Sequence, residues 1–198
     1  MNTKIDKLLR KVTWKKCLVF LIISQSIFIL MNTWTFPHIS AQAGGLDAFD
    51  MRPLGYSIDE ARNYLENISD SGISFYRNVQ LLLDIPYPAL MCLFYSCSII
   101  LLYRASKKRI KNSENRPARW LSGLLIIPII GMLADYAENI CVSIMLVQKQ
   151  NVSDSLIMAA NVFTLIKSMS TIVCWSVLII FVIVVLFLII RKRQNDES

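Results

Sequence analysis

The sequence predicts an all-α fold: a polytopic bundle of four transmembrane helices with a short extracytoplasmic amphipathic helical cap, in one membrane domain over residues 1–198. Three observations predict it. The 198 residues are 55% hydrophobic and only 18% charged, where soluble domains hold roughly 45–50% and about 25%. Mean hydropathy is +0.48, and four long apolar runs carry the excess. The basic residues gather at the ends of those runs. A soluble globular domain, a disordered chain, a coiled coil and a secreted disulfide scaffold are all excluded.

The charge distribution sets the topology. Sixteen of the 21 Lys and Arg lie in residues 1–16, 104–119 and 191–193. With their four acidic neighbours these stretches carry a net +12, and the rest of the chain carries −5. Short basic segments stay cytoplasmic, and such clusters favour an anionic inner leaflet. The +7 overall charge therefore implies a membrane partner and no nucleic acid. Both termini are expected in the cytoplasm of a multi-pass plasma-membrane protein.

The spans follow in order. A helix needs about 20 apolar residues to cross roughly 30 Å of hydrocarbon. The first span covers about 17–36. Ala41-Gln42-Ala43 matches a signal-cleavage pattern, but the stretch before it is long, so the run reads as an anchor. The connection 37–83 is external. Gly44-Gly45 and Arg52-Pro53-Leu54-Gly55 read as turns. Ser57 and Glu60 form a capping box. Ile58, Ala61, Tyr64, Leu65 and Ile68 then follow at helical spacing, an amphipathic cap helix of about three turns ending near Asp70-Ser71-Gly72. A second helical stretch from Ile73 leads into span two, about 84–103, where Pro86 and Pro88 should kink or interrupt it. The basic loop 104–119 is cytoplasmic. Span three covers about 121–147. The last apolar run, from Ser155 to Ile190, exceeds one simple crossing, and its membrane part is placed at 168–190. Spans three and four should form a hairpin rising past the outer surface.

Several polar groups fall at one depth. At 1.5 Å per residue from the nearest basic end, Asp135 lies about 24 Å in, Glu138 about 28 Å, Asp84 about 30 Å and Lys167 about 36 Å. Asp135, Glu138 and Asn139 share a helix face at i, i+3, i+4. Pro128 and Gly131 lie below them, and the small residue lets a neighbouring helix approach. Ionised groups at that depth should face the bundle. Three readings stay open. In the first, Lys167 and Arg77 neutralise Asp84, Asp135 or Glu138 in a salt-bridge network. In the second, the cluster is an outer-leaflet polar pocket for a lipid headgroup or small ligand, lined by Tyr76, Tyr87 and Tyr136. In the third, His38, Asp84, Asp135 and Glu138 hold a metal ion or a proton. No metal-ligand spacing supports the last beyond shared depth.

The remaining signals are negative or local. Cys17, Cys92, Cys97, Cys141 and Cys174 all lie in or at spans without a CxxC, and read as small buried hydrophobes. Cys17, beside Lys15 and Lys16, is also an acylation candidate. A single histidine excludes multi-His metal chemistry and disfavours a Ser-His-Asp triad. No phosphate-cradling loop, GxSxG or HExxH occurs, so no cofactor is implied.

Gly55-Tyr56-Ser57 with Glu60-Ala61, then Gly72 to Tyr76, Leu83-Asp84-Ile85-Pro86-Tyr87-Pro88 and Asp135 to Asn139 form a pattern over residues 45–170. It resembles uncharacterised four-span bacterial integral membrane proteins with an Asp-x-x-Glu-Asn motif in the third span. The chain departs from them at Ser74-Phe75-Tyr76-Arg77, where Gly-Arg is expected before the tyrosine. The resemblance implies the four-span architecture and no activity. The expected function is to bind a lipid, a small ligand or a partner subunit at the outer polar pocket. The alternative is an intramembrane enzyme or ion-coupled transporter using Asp135 and Glu138.

Overall fold

The computed structural model describes residues 11–107 and 119–197, and among them finds helices and turns with no strand. We number the helices α1 (Trp14–Leu30), α2 (Phe36–Gln42), α3 (Ile58–Asn67), α4 (Asp70–Phe75), α5 (Leu81–Leu83), α6 (Pro86–Lys107), α7 (Arg119–Gln148) and α8 (Asp154–Glu197). Four stretches are long and apolar enough to cross a membrane: Trp14–Gln42, Asp70–Ser106, Leu121–Asn151 and Asp154–Arg191. They contain the four expected spans, and each runs past its span at the end nearer the 37–83 connection. Backbone bonding continues a helix wherever packing persists, so the apolar run marks the core of each helix and not its ends. Most of the basic loop, residues 108–118, and the basic residues Lys4, Lys7 and Arg10 lie outside the described residues.

Helix α6 is central and packs on α1, α7 and α8, while α7 and α8 form the most extensively packed pair. The turn Lys149–Asn151 joins them as an antiparallel hairpin, as the paired apolar runs predict. Gly131 permits their contact. A Cβ there would sit 2.9 Å from the Cβ of Ser170, inside normal packing distance.

Two proline effects shape the other helices. Pro37 cannot donate a backbone bond, and its ring displaces the carbonyl one turn earlier. The chain responds by widening to π-helix over Met31–Thr35 before α2 begins. A second π-segment, Tyr76–Gln80, separates α4 from α5. The two wide turns pack on each other. The buried Thr35 hydroxyl donates to Gln80 Oε1 between them. Helix α5 ends at a turn over Asp84 and Ile85, and α6 starts at Pro86. Pro86 and Pro88 thus occupy a first helical turn, where the missing N–H groups cost nothing.

Helix α3 is built as its sequence demands. Ser57 N donates to Glu60 Oε2 at 2.7 Å and Glu60 N to Ser57 Oγ at 3.2 Å, closing the capping box. Ala61, Tyr64, Leu65 and Ile68 are buried. The helix ends earlier than expected, at Asn67. Ser69 then caps α4 by accepting from Gly72 N, so Asp70-Ser71-Gly72 opens a new helix and does not close the old one.

The loop between α2 and α3 is held as tightly as the helices. Phe49 is fully buried, with its ring 4.9 Å from Tyr56 and 4.8 Å from Tyr64. Gly55 has φ +83°, and a Cβ there would collide with the Asn161 side chain. That same side chain accepts from Tyr56 N at 2.9 Å. Glycine is required on both counts. The loop therefore carries its 3₁₀ turn, Phe49–Met51, down onto the helix ends.

Candidate functional site

Lys167 on α8 organises the polar interior. Its Nζ lies 3.3 Å from Asp135 Oδ1 and 3.6 Å from Asp50 Oδ1, and it pairs with Glu138 Oε2. All four side chains are largely withdrawn from solvent, and Glu138 is fully buried. Hydrogen bonds extend the cluster. Thr164 Oγ1 donates to Glu138 Oε1 at 2.6 Å, and Tyr76 donates to Asp50 Oδ2 at 2.6 Å. Gln80 Nε2 donates to Asp84 Oδ2 at 2.8 Å, and the charges of Asp50, Asp135 and Lys167 act on buried Asp84. Burial of these ions within the protein is tolerable only with such pairing, because each gives up its hydration.

Tyr56, in the loop, is buried within electrostatic reach of the cluster. Burial pushes its phenol well above the ordinary tyrosine range, and the nearby negative charge of Glu138 pushes it the same way. The hydroxyl therefore stays protonated.

A cavity of about 300 Å³ adjoins the cluster, with Asp135 and Lys167 in its wall. Helix α7 presents Pro128, Gly131, Met132 and Asp135 to it, at i, i+3, i+4 and i+7. Helix α8 presents Lys167, Ser170, Thr171 and Cys174 with the same spacing. These are single helix faces. Phe28, Tyr87, Tyr95 and Trp175 supply aromatic walls. Tyr95 meets Trp175 edge to face at 5.7 Å, and its buried hydroxyl has no hydrogen-bond partner.

The sequence-predicted residues divide into three groups. Asp135, Glu138 and Lys167 come together, with Asp84 beside them. Tyr87 lines the cavity, while Tyr76 joins the cluster through Asp50 and does not line the cavity. Four others, Arg77, Tyr136, Asn139 and His38, make no hydrogen bond or ion pair with the cluster among the described residues. Arg77 reaches Ser143 Oγ at 3.5 Å and not a carboxylate of the cluster. It follows Tyr76 directly, so its side chain leaves the helix on another face. Tyr136 is tied by its hydroxyl to Ile85 O at 2.8 Å. Asn139 is partly buried, with its amide oxygen unbonded.

His38 stands 4.3 Å ring to ring from Phe75, apart from the carboxylates. Among the described residues no group of three or more His, Cys, Asp or Glu is arranged to hold a metal ion. The acylation reading of Cys17 is corrected as well. Its sulfur is buried against Ser98 Oγ at 3.0 Å, so the thiol faces the bundle and not the interface.

Sequence reasoning missed Asp50, Gln80, Thr35 and Thr164. Thr164 was findable, one helical turn before Lys167. Asp50 carried no signal, since nothing periodic surrounds it and a loop alone brings it to Lys167. The cavity faces of α7 and α8 were also legible as i, i+3, i+4, i+7 patterns of small, polar and sulfur-bearing residues. Comparison with protein-family models, with curated proteins and with solved structures finds no match.

Proposed function

We propose that this is a multi-pass plasma-membrane protein that binds an amphipathic molecule, a lipid or small ligand, in the cavity between α1, α6, α7 and α8. The observation that carries the reading is the pairing of a charged end, Asp135 and Lys167, with an apolar and aromatic body in one space of about 300 Å³. Ligand sites combine few placed polar groups with apolar walls in this way, and their volumes begin near roughly 300 Å³. The basic segments put both termini in the cytoplasm, so the charged end lies toward the outer leaflet. Large exposed apolar side chains along α8, among them Ile179, Ile183, Phe187 and Ile190, support a lipid-facing surface. A binding role needs no chemistry at Asp135, whose charge then orients the ligand.

The test is native mass spectrometry of the protein released from mild detergent or nanodiscs. We expect a retained lipid or small molecule, lost in Asp135→Asn at a temperature where the less stable variant is still folded. A bare protein under every mild extraction, with the variant unchanged, would count against the cavity and leave the cluster a structural network.

A further inference from the structure

Carboxylates outnumber cations at the cavity end. Asp50, Asp135 and Glu138 surround a single lysine. Among the described ion pairs, Lys167 is the one cation that touches these groups. It is already shared among three partners, so it has little left to offer an anion. An uncompensated carboxylate in a membrane interior attracts positive charge.

The walls agree with that sign. Phe28, Tyr87, Tyr95 and Trp175 border the same space, and aromatic rings attract cations, delocalised ones included, where a ring face is offered. Met91, Cys92, Met132 and Cys174 add polarisable sulfur. A second, independent feature points to an occupant. Tyr95 is 4% exposed, lines the cavity, and its hydroxyl lacks any protein partner. Buried hydroxyls are normally bonded, so a molecule in the cavity would supply what the protein does not.

We infer that the cavity takes a lipophilic cation: an amphiphile whose amine, quaternary ammonium or similarly delocalised positive end docks at Asp135 while its apolar body lies along Phe28 and Trp175 and an acceptor atom on it meets the Tyr95 hydroxyl. This rests on the reading that the cavity binds an amphiphile, and it fixes the chemical class. The positive end completes the charge that Lys167 leaves unmatched.

Two probes of closely similar shape and opposite charge, tetraphenylphosphonium and tetraphenylborate, separate the possibilities. Binding is measured by equilibrium dialysis to the full chain in neutral-lipid nanodiscs, with empty nanodiscs subtracting partition into lipid. We expect the phosphonium to bind at least roughly tenfold more tightly than the borate. Asp135→Asn should cut that preference severalfold, read at a temperature where the variant, less stable for the loss of its pairing with Lys167, is still folded. Equal binding of the two ions, or tighter borate, overturns the cation class and leaves an amphiphile cavity standing. Phosphonium binding unchanged in Asp135→Asn overturns the docking at Asp135. If neither ion binds, the cavity reading falls with the charge preference.

Discussion

Lys167 Nζ of α8 reaches Asp50 Oδ1 of the loop turn at 3.6 Å, so the longest helix and the least regular segment close on one ion pair. The loop is thereby part of the cluster, and its order matters to the charged end of the cavity.

Removing the lysine should be severe. Lys167→Met leaves Asp50, Asp135 and Glu138 facing one another without a counter-charge. Breaking a buried pair from one side typically costs about 3–5 kcal/mol. The double variant Lys167→Met with Asp135→Asn should lose much less than the sum of the two singles. Thermal unfolding in mild detergent measures this, and strictly additive losses would show that the pairing contributes nothing.

The α7–α8 contact should be sensitive to one methyl group. Gly131→Ala places a Cβ 2.9 Å from that of Ser170, and overpacking of this kind costs about 1–3 kcal/mol. Adding Ser170→Gly should recover most of the loss. No recovery in the double variant would mean that the strain lies somewhere other than this crossing.

The loop should open when its glycine is replaced. Gly55→Ala forces a side chain into φ +83° and against Asn161, a conformational penalty of about 1–3 kcal/mol. Limited proteolysis should then cut within residues 43–57, and Asp50 should leave Lys167. A protease pattern identical to that of the unaltered chain would contradict the tight docking.

Tyr64 governs an alkaline limit. Burial, with the charge of Asp50 second, raises its phenol well above the ordinary value, against a smaller opposing effect of Arg52. The folded protein therefore holds this proton more tightly than the unfolded chain. The corresponding stability is fully present below about pH 10, the unfolded phenol value, and is lost as pH climbs beyond it. The Tyr64 hydroxyl is buried without a hydrogen-bond partner, so Tyr64→Phe should be neutral or stabilising at pH 7 and should soften the alkaline decline. Marked destabilisation at pH 7 would reveal a partner that the hydroxyl depends on.

The helices were legible because their signals are local. Apolar runs mark the four long helices, and Ser57 with Glu60 fixes the start of α3. The depth estimate also joined Asp135, Glu138 and Lys167 correctly, since distance along a helix converts directly into height. What failed was anything set by tertiary placement. Arg77 sat at a plausible depth, but its azimuth turned it toward Ser143. Asp50 had no helix to give it a height; the burial of Phe49 beside it, the φ of Gly55 and the hydrogen bond from Tyr76 hold it at the cluster. The π-segments were hidden too, because Pro37 predicts a disturbance without saying whether the helix bends, breaks or widens.

The cavity face of α8 acts as a ruler. Lys167, Ser170, Thr171 and Cys174 stand on consecutive turns of one unbroken helix, so charged end and apolar floor are separated by a fixed rise of about 10 Å at 1.5 Å per residue. A molecule that engages both must have that reach between its polar group and its body. On the proposed binding role, the helix itself would select by length, separately from charge.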